Sequence, residues 1–178
     1  MNKTVLVING AGGVGKDTLC AFAARHFRVR NVSSVTPIKE LARRCGWTGG
    51  KEDRDRRFLS DLKRLTVEYC DLPTRYLTEE YRDFLAGDEE IMFAHIRESG
   101  EIAKFVSATQ GQALTLLIRG GARMAPRSYG NVSDDGVEEY PYDFVYENGL
   151  PLDRAEGDFV RFLRERVLPA AAEREGAI

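Results

Sequence analysis

The sequence predicts an α/β fold wound on a mostly parallel sheet of five strands. Three observations carry this expectation. The run Thr4-Val5-Leu6-Val7-Ile8-Asn9 is rich in β-branched residues and apolar on both faces, as a strand covered by helices on either side must be. A glycine-rich stretch then leads into a segment with apolar residues at helical spacing. Further short apolar runs alternate with helical patterns to the end of the chain, the order expected of βα units. At 178 residues the chain suits one domain with one sizeable core, and it shows no internal repeat or linker.

The elements follow in order. After the first strand, Lys16 to Phe27 carries Leu19, Ala23 and Phe27 on one helical face. Residues Asn31 to Val35 form a short second strand. Thr36 and Pro37 start a helix, Thr36 as N-cap and Pro37 in the first turn, with Ile38, Leu41, Ala42 and Cys45 on one face. Gly46 to Gly50 ends it. Arg56 to Tyr69 places Phe58, Leu59, Leu62, Leu65 and Tyr69 at helical spacing, and a further helix covers Thr78 to Leu85. Ile91 to Ile96 is the third strand, Glu101 to Ser107 a helix and Ala113 to Ile118 the fourth strand. A polar loop follows from Arg119 to Tyr140, then a fifth strand from Tyr142 to Tyr146. Asp153 and Glu156 have the spacing of a capping box before a last helix bearing Ala155, Phe159, Leu163 and Val167. The tail after Pro169 is expected to fray. Strand order cannot be read from these periodicities.

Composition narrows the function. Apolar residues at 43% and charged residues at 30% exclude a disordered or fibrous chain. The longest apolar runs fall far short of the roughly 20 residues of a membrane span, and the glycines at Gly10 cut off any signal peptide. Cys20, Cys45 and Cys70 are odd in number without a C-x-x-C pair, so a cytoplasmic protein with reduced thiols is expected. With only His26 and His95 there is no zinc or haem signature. Residues 1–75 hold 15 Lys and Arg against 8 Asp and Glu, whereas residues 76–178 hold 11 against 20. The basic half suits an anionic ligand, or is simply a solvated, arginine-rich helix face. It lacks the interleaved aromatics of a nucleic-acid surface.

The most informative stretch is Gly10-Ala11-Gly12-Gly13-Val14-Gly15-Lys16-Asp17-Thr18. It fits both the dinucleotide fingerprint G-x-G-x-x-G and the phosphate-binding P-loop G-x-x-x-x-G-K-[ST], the latter with Asp17 in place of the hydroxyl residue. A dinucleotide site wants an acid at the end of the second strand, and Phe27 to Pro37 contains none. A P-loop wants a lysine directly after the last glycine, and Lys16 is there. The loop N–H groups would cradle phosphates while the ammonium reaches the β and γ phosphates. Asp17 can ligate Mg²⁺ as a hard oxygen donor, or merely complement the helix dipole; Thr18 can give a hydroxyl to a phosphate. Arg97 follows a buried strand at its carboxyl edge, where parallel sheets bind ligands. Arg57 either projects from its helix toward an acceptor phosphate or is a surface arginine in a run with Arg54 and Arg56.

The stretch V-I-N-G-A-G-G-V-G-K-D-T resembles the G-K-D variant of the P-loop in deoxynucleoside monophosphate kinases and in P-loop phosphomevalonate kinases. Pro37-Ile38-Lys39-Glu40-Leu41-Ala42, the helix from Arg57, Phe93 to Glu98, and Tyr142 to Gly149 resemble further segments of the nucleotide kinases in the right order. The resemblance implies a three-layer α/β/α domain with a helical acceptor-binding insertion over residues 36–87 and a short lid over 119–140. It implies transfer of the ATP γ-phosphoryl group, with Mg²⁺, to a nucleoside monophosphate. Gly10 to Thr18 and Asn148 would bind ATP, Asp17 the metal, and Lys39, Arg57 and Arg97 the acceptor. Lys16, Arg97, Arg119 and Arg123 would stabilise the transferring group, with Arg127 in the same lid series. His95 stands where the family strand carries an Asp that holds Mg²⁺ through water, so Asp17 or Glu98 would have to compensate. An ATP-binding sensor and a kinase of another small phosphorylated acceptor are the alternatives; no nucleic-acid or membrane partner is expected.

Overall fold

A computed structural model describes residues 3–121 and 136–176. Five strands, β1 (Thr4–Asn9), β2 (Val29–Ser33), β3 (Ile91–His95), β4 (Leu114–Gly120) and β5 (Phe144–Asn148), form one sheet in the order β2-β3-β1-β4-β5. Every pairing is parallel. The connections carry α1 (Lys16–Ala23), α2 (Thr36–Arg44), α3 (Asp53–Cys70), α4 (Leu72–Ala86) and α5 (Ser99–Ala108). After β5 come α6 (Leu152–Phe162), a π-helical turn (Leu163–Val167) and α7 (Leu168–Glu175).

The period of two in β1 builds a core on each face of the sheet. Leu6 and Ile8 pack with Leu19, Phe22, Phe159 and Leu163 from α1, α6 and the π turn. Val5 and Val7 pack with Leu77, Phe84, Ile102 and Phe105 from α4 and α5. This is the expected three-layer arrangement. Its strand order reverses around β1, which makes the carboxyl edge beside β1 the place where such sheets bind ligands.

Several boundaries differ from the sequence reading, each for a local reason. Helix α1 stops at Ala23 because the next turn tightens, with Arg25 N–H donating to Phe22 O and His26 N–H to Ala23 O. Strand β2 lies two residues earlier than expected, with Val29 opposite Ile91 and Ser33 opposite His95. Thr36 is the first helical residue of α2 rather than its cap; Val35 holds that place without a side-chain bond. Helix α3 starts earlier, at Asp53, on a capping box in which Asp55 Oδ2 accepts from Glu52 N–H at 3.3 Å. Its periodic apolar residues are not core: no residue of α3 is buried, and Phe58, Leu65 and Tyr69 are exposed.

Strand β5 is shifted two residues toward the C-terminus because Tyr142 and Asp143 act as braces. Tyr142 OH donates to Val137 O, and Asp143 Oδ2 accepts from Thr115 N–H at 2.8 Å. The box expected at Asp153 and Glu156 does not form, since Glu156 pairs with Arg25 and His26 across to the α1 side. Nor does the tail fray at Pro169. The π turn precedes it, Pro169 sits in the first turn of α7 where a missing N–H costs nothing, and Ala171 is buried. Arg174 then ties α7 to the sheet through Ala113 O at 3.0 Å and Asp143. Helices α2 to α4 lie within residues 36–87, and residues 122–135 of the expected lid lie outside the described residues. No described helix is long and apolar enough to cross a membrane.

Candidate active site

The glycine loop leaves β1 through Asn9, whose side chain fixes the exit. Asn9 Nδ2 donates to Arg97 O at 3.0 Å and to Tyr142 OH at 2.7 Å, while Oδ1 accepts from Gly10 N–H at 2.8 Å. Gly10 adopts φ +149°, and a Cβ there would lie 2.4 Å from Ile118 O. Only glycine lets the loop pass that close to β4. Gly15, at φ +89°, caps α1, so the first N–H groups of the helix point out of the loop's end. Lys16 Nζ folds over the loop and donates to Gly10 O and to Ala11 O, the latter at 2.9 Å.

The loop opens into a cleft of about 900 Å³. Gly12, Gly13, Gly15, Lys16, Asp17 and Thr18 line its near side. Across from them stand Lys39 of α2, Lys63 of α3, and the end of β3 with His95, Arg97 and Glu98. Four cations therefore face two carboxylates, Asp17 and Glu98, which leaves the lining with a positive excess suited to phosphates.

Some expected residues are placed elsewhere. Arg57 does not line this cleft; with Arg54, Phe58 and Asp61 it borders a separate notch on α3. Arg119 Nε and Nη2 donate to Glu138 at 3.1 and 2.9 Å, and Nη1 lies 3.6 Å from Glu147, so this fork is satisfied outside the cleft. Arg123 and Arg127 lie outside the described residues. Asn148, expected to bind ATP, donates from Nδ2 to Val14 O at 2.9 Å and so holds the glycine loop. The cleft residue that the sequence reading missed is Lys63. Its signal was present, since it follows Leu59 by four residues and so shares that side of α3.

Asp17 is the one expected metal ligand, and no described cluster of three or more His, Cys, Asp or Glu residues could hold an ion unaided. Asp17 lines the cleft in the first turn of α1, and a single carboxylate there is a hard oxygen donor of the kind Mg²⁺ takes together with waters and substrate phosphates.

His95 sits on the cleft floor with Nε2 2.8 Å from Asn31 Oδ1 and 3.7 Å from Cys20 Sγ. The Asn31 oxygen accepts, so Nε2 carries the proton. Burial lowers the His95 pKa; Asp17 opposes that shift while Lys16 and Arg97 add to it. The ring is therefore neutral. Burial likewise pushes the Cys20 thiol up to about 12, which leaves it inert.

A pH dependence follows. The unfolded chain protonates His95 near 6.5 and the folded one only at lower pH. Folded stability from this site is thus complete above about 6.5 and is lost as pH falls from there toward the folded pKa. Urea unfolding at pH 7.5 and 5.5 should show a smaller loss for His95→Gln than for the parent. An equal or larger loss in the variant would mean that His95 is not held neutral.

No protein-family model matches the sequence, and no curated protein matches it. Solved structures do resemble the fold. A sugar kinase from Janibacter sp. HTCC2649 aligns with a TM-score of 0.52 at 15% identity, over 95% of this chain and 98% of that one. A shikimate kinase from Bacteroides thetaiotaomicron gives 0.52 at 16% identity, over 91% and 97%. A thymidylate kinase from Candida albicans gives 0.50 at 10% identity, over 92% of each chain. At such identities the likeness is one of architecture, and it agrees with the strand order and the glycine loop: the chain has the α/β fold of P-loop kinases.

Proposed function

We propose that the chain is a cytoplasmic phosphotransferase that moves the γ-phosphoryl group of ATP to a nucleoside monophosphate, with a deoxynucleotide as the favoured acceptor. The observation that carries this reading is the glycine loop with Lys16 at its head, opening onto a cleft whose opposite wall bears Lys39, Lys63 and Arg97. In this reading the loop N–H groups and Lys16 hold the donor phosphates. Asp17 would hold Mg²⁺, which neutralises charge on the β and γ groups when bound, and Thr18 would give a hydroxyl to a phosphate. Arg97 orients the acceptor phosphate. One of its oxygens bonds to the γ phosphorus as the bond to the bridging oxygen of ADP breaks, so the protein's work is positioning and charge. Neutral His95 gives its Nε2 proton to Asn31, which leaves Nδ1 to accept from a metal-held water but adds no negative charge.

A second reading has a specific observation behind it. The described acceptor side of the cleft is lined by hydroxyls and cations, with Ser33, Ser34, Thr36 and Ser60 beside Lys39, Lys63 and Arg97. That favours a small phosphorylated acceptor other than a nucleotide. A coupled ADP-release assay with ATP and Mg²⁺ separates the two, run against ribo- and deoxynucleoside monophosphates and sugar phosphates. ADP release with the monophosphates alone supports the first reading, and release with sugar phosphates alone the second. ATP binding with no acceptor-dependent release would leave an ATP sensor.

Arg97→Ala should raise the acceptor KM about 10- to 150-fold and leave the ATP KM near the parent value. That range corresponds to the loss of a charge-assisted bond worth roughly 1.5–3 kcal/mol. Unchanged acceptor kinetics in the variant would remove Arg97 from the site.

A further inference from the structure

Helix α3 distributes its cations unequally. Arg54 and Arg57 border the outer notch, while Lys63 enters the cleft beside Leu59 and Ser60. The Lys63 side chain is only 17% exposed, with Nζ 2.6 Å from Glu98 Oε1 and 2.9 Å from Glu101 Oε1. Burial works against its charge, but the two carboxylates outweigh that and raise its pKa.

The two carboxylates differ. Glu101, at the start of α5, is 7% exposed and reached on its other oxygen by Ser34 Oγ at 3.4 Å. A buried carboxylate cannot give up its cation without being stranded. Glu98 is 50% exposed at the rim of the cleft. A rim ion pair contributes little, and its carboxylate can turn to water at small cost. An ammonium has three N–H donors, so the hydrogen bond to Glu98 and the ion pair with Glu101 leave at least one for a ligand oxygen. An anion entering beside Arg97 could therefore take the third donor or displace Glu98, while Glu101 keeps Lys63 in place.

We propose that Lys63 is the cation with which the helical insertion grips the anionic group of the acceptor, and that Glu98 is a built-in competitor occupying it while the cleft is empty. This rests on the acceptor side of the function proposed above. It makes the two partners act with opposite signs, which a purely structural strap between α3 and α5 would not.

The test uses the full chain saturated with β,γ-methylene ATP, with inorganic phosphate as the anion probe in calorimetry, alongside the acceptor KM in the ADP-release assay. Lys63→Met should weaken phosphate binding and raise acceptor KM by about tenfold or more. The double variant Lys63→Met with Glu101→Gln strands no carboxylate and should show the same loss if the single variant folds poorly. Glu98→Gln should tighten both by about two- to fivefold, the size of a lost rim pair. Lys63→Arg should keep most of the affinity. The proposal is overturned if the Lys63 variants bind like the parent, if Glu98→Gln weakens binding, or if the loaded parent binds no phosphate. Phosphate binding with these signs in a protein that phosphorylates no monophosphate would keep the Lys63 site and discard the nucleotide acceptor. Monophosphate phosphorylation indifferent to Lys63 would do the reverse.

Discussion

Lys16→Met should lower ATP affinity by about 100-fold or more while the protein stays folded. An ammonium bridging two phosphate groups makes charge-assisted bonds of roughly 1.5–3 kcal/mol each, and no neighbouring group can replace them from the helix entrance. Lys16 already donates to Gly10 O and Ala11 O, so it also steadies the loop before any nucleotide arrives. A small drop in melting temperature is therefore expected beside the large loss of affinity. Calorimetric titration with ATP, paired with a thermal melt, reads both quantities. Unchanged ATP affinity in a folded variant would refute the assignment of the glycine loop as the phosphate site.

Gly10→Ala should act on stability and binding together. Its φ of +149° is strained for any L side chain, and the added methyl would meet the Ile118 carbonyl oxygen at 2.4 Å. Backbone strain of about 1–3 kcal/mol and overpacking of about 1–3 kcal/mol give roughly 2–6 kcal/mol in all. For a chain of this size that lowers the melting temperature by roughly 10 °C. The alternative to unfolding is for the loop to lift away from β4, which takes its N–H groups out of register with the phosphates. Gly15→Ala provides a graded comparison, because its Cβ would press at 2.6 Å on the Asn148 side chain, which can move, rather than on backbone. A Gly10→Ala protein that melted within a degree of the parent and bound ATP normally would show that the close approach to β4 is dispensable.

What could be read from the sequence was what is local. The glycine loop, Lys16 and Asp17 are contiguous, and their placement between a buried strand and a helix follows from the chain's own order. Arg97 was legible for a similar reason, being next to a strand end. The strand order was not, because parallel neighbours such as β1 and β3 are joined only through long crossovers. The periodicity of α3 was read correctly as a helix, but period says nothing of what covers the face, and Phe58, Leu65 and Tyr69 are exposed. Which α3 cation enters the cleft depends on how that helix is rotated against α2 and α4; the turn that brings Lys63 inward leaves Arg57 outside. The acid pattern at Asp153 and Glu156 was a true local match overridden by Arg25 and His26, which lie more than a hundred residues away.

The bond from Asn148 to Val14 also has a temporal meaning. Its partners are separated by 134 positions, and the asparagine ends the last strand, at the edge of the sheet. A chain made from its N-terminus exposes the glycine loop long before β5 has been synthesised. Until that edge strand docks, the Val14 carbonyl lacks its amide partner. On the function proposed above, competence to hold a nucleotide would thus be acquired late in assembly, although the residues proposed to contact it are made first. Nucleotide that binds the finished loop more tightly than the unfinished one then favours, by mass action, the molecule whose final strand is in place.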